Sequence, residues 1–299
     1  MQKQTIINST LAVVACLLWS TAFVGIKIGL QYTTPLQFAG IRFFFSGILL
    51  LPLVKSYTLF FSAIQKNFKL ILKVSAFQTF ILYALFYWGI DMLDGSLAAI
   101  IIGSQPLFAA LVAHLMMSND KMSFSKGITI SSGIGGIILI ALPKGISGPE
   151  GWTELIGIIL LILANIASGI GNVFVSKNRT SISPIILNSS QMILGGLVLF
   201  IASLFTEPFT GFLFPTEYYL ALSWLSFLSA AAFSIWFFLL QKPLIKVSDL
   251  NIYKFIIPVF GATLSWIILP DESPNITSII GMLVIATSVV LYGFLVTKK

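Results

Sequence analysis

Lys254 stands in the run Asn251-Ile252-Tyr253-Lys254-Phe255-Ile256-Ile257, about six residues inside a long apolar stretch. An ionisable side chain there costs roughly 2.5–3.5 kcal/mol on insertion scales, so a functional role is the default reading. Facing inward, its ammonium would attract a carboxylate or phosphate. Facing outward, its stem could snorkel back over about 9 Å to the interface. Helical spacing places Lys254, Pro258, Gly261 and Ser265 on one face, which favours a polar wall turned inward.

Other polar residues interrupt apolar runs at helical spacing. Asn165, Ser168, Gly169, Asn172 and Ser176 form one stripe, suited either to lining water or to bonding a neighbouring helix. Ser75, Thr79, Tyr83 and Tyr87 form another, flanked by Gln78 and Trp88. An aromatic wall of this kind suits an amphipathic ligand, although tyrosine and tryptophan also mark membrane interfaces. Pro106, preceded by Gln105, and Pro258 each lie mid-run and free the carbonyl four residues earlier. They are expected to act as helix breaks or hinges, and Gln105 joins the candidate cavity wall. Lys27 and Arg42 are read as gating or packing residues, with Lys27 close enough to a span end to snorkel. His114, the only histidine, is a candidate for proton coupling; the alternative is a packing residue. No carboxylate lies deep in any apolar run, so exchange or facilitated movement stands beside proton antiport.

Several chemistries lack their equipment. One cysteine, Cys16, and one histidine make a disulfide framework or a thiolate or imidazole metal centre improbable, and no metal or cofactor is expected. No His-Glu-x-x-His, Gly-x-Ser-x-Gly or Gly-x-x-x-x-Gly-Lys pattern occurs, which weighs against a membrane-embedded hydrolase and a nucleotide-driven pump. The net charge of +7 is scattered over short loops, so no nucleic-acid partner is expected. A non-transporting membrane subunit is a further alternative.

These residues need a membrane-spanning frame. The chain is 57% hydrophobic and 9% charged, with mean hydropathy +1.00, whereas soluble domains carry roughly 25% charged residues. Ten stretches are long enough to cross a bilayer as helices: 10–30, 35–54, 70–90, 96–117, 125–143, 154–176, 184–205, 218–240, 248–269 and 276–296. None alternates as a barrel strand would. The apolar run through Cys16 continues unbroken to Ile26, which reads as a first span and not a cleavable signal. With the N-terminus inside, thirteen loop lysines and arginines fall on the cytoplasmic face and only Lys144 outside. Both termini are therefore expected in the cytoplasm.

The first five spans and the last five share landmarks in order. Trp19–Lys27 answers Gly169–Lys177, Thr34-Pro35 answers Ser183-Pro184, and Gln105-Pro106-Leu107-Phe108 answers Ile257-Pro258-Val259-Phe260, with Asp120 and Glu272 following the proline helices. Five is odd, so the halves, 10–143 and 154–296, would sit in the bilayer with opposite orientation, an arrangement recurrent in secondary transporters. On Trp19-Ser20-Thr21-Ala22-Phe23 with Lys27, Thr34-Pro35 with Arg42, and the paired Pro106 and Pro258, the chain resembles the drug/metabolite transporter superfamily, specifically its EamA-type members. That resemblance implies an all-α polytopic fold of ten helices in a five-plus-five inverted repeat. It also implies a multi-pass carrier of the bacterial cytoplasmic membrane, exporting a small-molecule substrate; Lys254 leans that substrate toward an amino acid or another carboxylate, with drug-like compounds and neutral metabolites open. Association as a homodimer is left open. Where the family often carries an acidic residue just before the second-half proline, this chain has Lys254.

Overall fold

The computed structural model describes residues 2–141, 149–179 and 181–297. Lys144, Lys298 and Lys299, which entered the charge balance, lie outside them. The described residues are helical with no strand, as lipid requires of a chain that must satisfy its backbone internally. Eight helical spans are long and apolar enough to cross a membrane, and two shorter apolar helices, Gly127–Leu139 and Ile276–Ser288, accompany them.

Local chemistry sets many of the helix ends. The first apolar stretch is two helices, α1 (Gln2–Ser20) and α2 (Ala22–Leu30), stepped at Thr21, whose hydroxyl bonds the Leu18 carbonyl at 2.8 Å. Pro35 opens α3 (Pro35–Leu49) and Pro184 opens α10 (Pro184–Thr206), each at a first-turn position where a missing N–H costs nothing. Ser183 also caps its own helix by accepting from the Ile186 N–H.

The third stretch begins earlier than hydropathy suggests. Helix α4 (Tyr57–Ser75) is amphipathic over its first turns, with Leu59, Phe61 and Phe68 exposed beside Lys66 and Lys69. It bends at Asn67, whose side chain bonds the Ala63 carbonyl at 3.0 Å. One π-helical turn, Ala76–Phe80, then leads into α5 (Ile81–Asp91).

Both proline stretches are broken. The fourth divides at Ser104 into α6 (Gly95–Gly103) and α7 (Gln105–Met116). The ninth divides into α12 (Val247–Asn251), a 3-10 turn over Ile252–Phe255 and α13 (Ile256–Ile268). The remaining helices are α8 (Phe124–Ala141), α9 (Pro149–Lys177), α11 (Thr216–Leu240) and α14 (Ile276–Thr297).

Packing follows a reciprocal scheme. Helices α3 and α10, α6 and α13, and α8 and α14 pair directly, while α5 on α9 is matched by α1 on α11, and α7 on α9 by α1 on α13. Two glycines make the α3–α10 seam possible. A Cβ on Gly40 would lie 2.5 Å from the Phe200 backbone nitrogen, and one on Gly196 would strike the Phe44 backbone. Small residues permitting backbone approach are the usual device for packing helices in lipid.

Candidate functional site

The helix breaks meet at the centre of the bundle. A Cβ on Gly103, the last residue of α6, would run into the Pro258 ring, so only glycine lets the two proline segments touch. Lys254 lies in the 3-10 turn just before Pro258 and donates to Oε1 of Gln105, the first residue of α7. One hydrogen bond thus joins the two breaks. Lys254 is buried, and its ammonium sits 5.0 Å from the Trp19 ring centroid and 4.5 Å from that of Trp236. The two indoles are edge-on to one another at 5.1 Å, with Phe233 5.2 Å from Trp19. The lysine does not snorkel.

Beside this box lies a cavity with about 60 Å³ of room for the centres of water-sized molecules, space for some four to six waters. Lys254, Gln105, Gln78, Tyr83 and Asn172 all line it, together with Arg42. Gln78 projects from the π-helical turn and donates to Asn172 Oδ1 at 2.6 Å; Asn172 in turn donates to Asn251 Oδ1 at 3.3 Å. A π turn recurs at functional sites because it re-aims side chains that regular spacing would send elsewhere.

Arg42 is buried in α3 and donates through Nη1 to the Tyr87 hydroxyl at 2.8 Å. Its Nε and Nη2 reach Ser229 Oγ at 3.0 and 2.8 Å, and its guanidinium stacks 4.9 Å from the Phe43 ring centroid. Among the described residues no aspartate or glutamate lines the cavity, so two basic side chains face it with only neutral partners. The indole N–H groups of Trp19 and Trp236 are buried and find no acceptor among the described residues. Buried polar groups normally have partners; Gln78 Oε1 on the same wall is likewise without one, so the space offers two basic side chains, two indole N–H donors and one amide acceptor.

Other expected residues lie elsewhere. Asn165 donates to the Ile101 carbonyl at 3.0 Å and to Ser104 Oγ at 3.3 Å, bracing the break between α6 and α7. Trp88 donates to Glu207 Oε1 at 2.9 Å. Ser265 is buried against Gly95, the first residue of α6. Lys27 donates to the carbonyls of Ile90 and Leu93 at 3.3 and 3.0 Å. His114 Nδ1 accepts from the Met122 N–H at 3.0 Å, clamping the turn after α7. None of these five lines the cavity. Arg42, read as a gating or packing residue, ties α3 to α5 and α11 through Tyr87 and Ser229 and also lines the cavity. Trp19 as a cavity group, and Trp236 altogether, escaped sequence reasoning. For Trp19 the signal was its mid-span position, since tryptophan in membrane proteins otherwise concentrates at the interfaces; Trp236, four residues from the end of α11, carried no such signal.

The EamA-like transporter family description matches the chain twice, over residues 7–142 and 155–294. The chain belongs to this family. Among its relatives in Bacillus subtilis are the uncharacterized transporter YoaV, 22% identical over 95% of both chains, and the uncharacterized transporter YvbV, 25% identical over 92% of this chain and 88% of the relative. A solved crystal structure shares the fold at TM-score 0.72 and 14% identity, covering 98% of this chain and 99% of the other. An EamA-like chain of this kind is a polytopic membrane transporter.

Proposed function

We propose that this transporter is an exporter of small metabolites bearing an anionic group, amino acids and other carboxylates foremost, working by alternating access between two five-span halves of opposite orientation. In this reading the chain crosses the bacterial cytoplasmic membrane ten times, α8 and α14 completing the halves, with both termini inside. The observation that carries it is the cavity itself, where Lys254 and Arg42 face one small space with no acidic side chain on its wall among the described residues.

The duplicate family match and the reciprocal helix pairings support the two-half architecture. Two end-cap interactions support it further. Lys27 bonds the Ile90 carbonyl, and Arg179 bonds that of Lys242 at 3.1 Å. Both partners are displaced by the same 152 residues, as are Pro106 and Pro258. In this reading the counterpart of Lys27 is Arg179, two residues beyond the Lys177 that sequence matching selects. The drug-like class of substrate has weaker support, because the present cavity admits only a few waters.

Counterflow in proteoliposomes tests the reading. Vesicles preloaded with single compounds from a panel of anionic, zwitterionic, neutral and cationic metabolites are assayed for uptake of the labelled compound. Saturable exchange confined to compounds carrying a carboxylate or phosphate is expected. Exchange of cations or neutral solutes, with anions ignored, would overturn the assignment.

A further inference from the structure

Asp120 and Glu272 each follow a broken span at one spacing: fourteen residues separate Pro106 from Asp120 and Pro258 from Glu272. Each carboxylate reaches across to the start of the other half's broken span. Glu272 accepts from the Gly95 N–H through Oε1 at 2.6 Å and from the Ser96 N–H through Oε2 at 2.8 Å. Asp120 accepts from the Ser248 N–H through Oδ2 at 3.1 Å and from the Ser248 hydroxyl through Oδ1 at 2.6 Å. Ser96 and Ser248 lie ten residues before their prolines, so donors and acceptors both keep register. The tail of α7 pins the start of α12, and the tail of α13 pins the start of α6.

We propose that Asp120 and Glu272 are paired latches of the transport cycle, each holding one end of the central cavity shut, so that the cavity opens toward whichever end releases its carboxylate. This rests on the alternating-access reading and adds the residues that gate it. The mid-span prolines remove a backbone hydrogen bond on each side of the cavity and leave two half-helices joined by a soft point. A half-helix pivoting there is packed along its length against its neighbours, and the carboxylate ties down its far end, where a pivot moves it most. Both latches are engaged here, in keeping with the small volume between them. Glu207 supplies the contrast. It likewise accepts from the backbone of Leu36 and Gln37, yet α3 is unbroken and glycine-seamed to α10, and the start of α10 is capped by its own Ser183. A carboxylate cap without a partner in the other half and without a hinge beside it is scaffold.

The test places one reporter on the cavity wall, Ser168→Cys in a Cys16→Ala background, and reads its labelling by a membrane-impermeant maleimide in right-side-out and inside-out vesicles. Glu272→Gln is expected to raise labelling from the Glu272 face about tenfold, the order of shift that weakening a charge-assisted pair brings to a two-state equilibrium, and to lower it from the other. Asp120→Asn is expected to do the reverse. Ser248→Ala, which deletes one donor to Asp120, and Glu272→Asp, which shortens the other latch, should give the same directions more weakly and carry the test where the amide variants do not accumulate. Equal increases from both faces, no change, or a rise at the wrong face would overturn the latches while leaving the carrier standing. A cavity that labels from one face only, in wild type and every variant, would overturn the carrier reading and the latches with it.

Discussion

Replacing Lys254 with methionine separates what the lysine does for the fold from what it does for substrate. Methionine keeps the length of the stem and most of its packing between Trp19 and Trp236. The fold loses the hydrogen bond to Gln105 and the attraction of two indole faces at 5.0 and 4.5 Å, together about 2–4 kcal/mol. It also sheds the roughly 2.5–3.5 kcal/mol penalty of placing a lysine in a membrane span. These nearly cancel, so the variant should insert and melt within a few degrees of wild type. Substrate binding gains no such offset. A carboxylate deprived of one charged donor loses about 1.5–3 kcal/mol, which raises KM some 10- to 150-fold. Binding should not vanish, because Arg42 spends three of its five N–H donors on Tyr87 and Ser229 and keeps two. The assay is concentration-dependent counterflow of an anionic substrate and of its amide or ester in wild-type and Lys254→Met proteoliposomes. A KM for the anion within threefold of wild type, or an equal loss for the neutral analogue, would refute the reasoning.

Arg42→Met leaves the fully buried Tyr87 hydroxyl without the donor it now accepts from; a stability loss of about 1–3 kcal/mol is expected as a lowered melting temperature in detergent, alongside weakened anion counterflow. Gly103→Ala drives a methyl into the Pro258 ring and should cost about 1–3 kcal/mol by overpacking, with turnover reduced more than KM. Gly135→Ala, where an added Cβ meets nothing within 4 Å, should be neutral in the same thermal and transport measurements. Cysteines introduced at Lys121 and Asp271, after α7 and α13, should react with impermeant reagents from opposite sides of the membrane; reaction from one side alone would refute the inverted pairing of the halves.

Much of this fold was legible because hydropathy reports burial in lipid directly, and each of the ten apolar stretches is helical over most of its described residues. What hydropathy could not show is a helix lying partly outside the hydrocarbon. The first turns of α4 carry Lys66 and Lys69 beside exposed Leu59 and Phe68, so their average falls below that of a span although the backbone is continuous. The stagger of Lys27 with Arg179 was hidden for a related reason. Loops differ in length between the halves, and on the two-half reading the corresponding acceptors, Ile90 and Lys242, pair the two cations.

The candidate site was half legible, and the divided result has one geometric cause. Helical periodicity gives the direction in which a side chain points but says nothing of its depth relative to other helices. Ser265 does share a face with Lys254, yet eleven residues place it about 16 Å further along the axis, level with Gly95. Asn165 is two turns from Asn172, about 10 Å away, and so meets Ile101 and Ser104 instead of the cavity. Trp88 lies ten residues beyond Gln78 and reaches Glu207. The residues that did converge, Lys254, Gln105, Gln78, Tyr83 and Asn172, lie beside an interruption in the helical path or pack against one. A proline, a 3-10 turn or a π turn fixes depth as well as direction, because the freed backbone must be covered by neighbours at that level. In a duplicated chain the paired prolines therefore mark the height of the site, and a polar residue gains weight as a cavity candidate by its distance from that height more than by the stripe it belongs to.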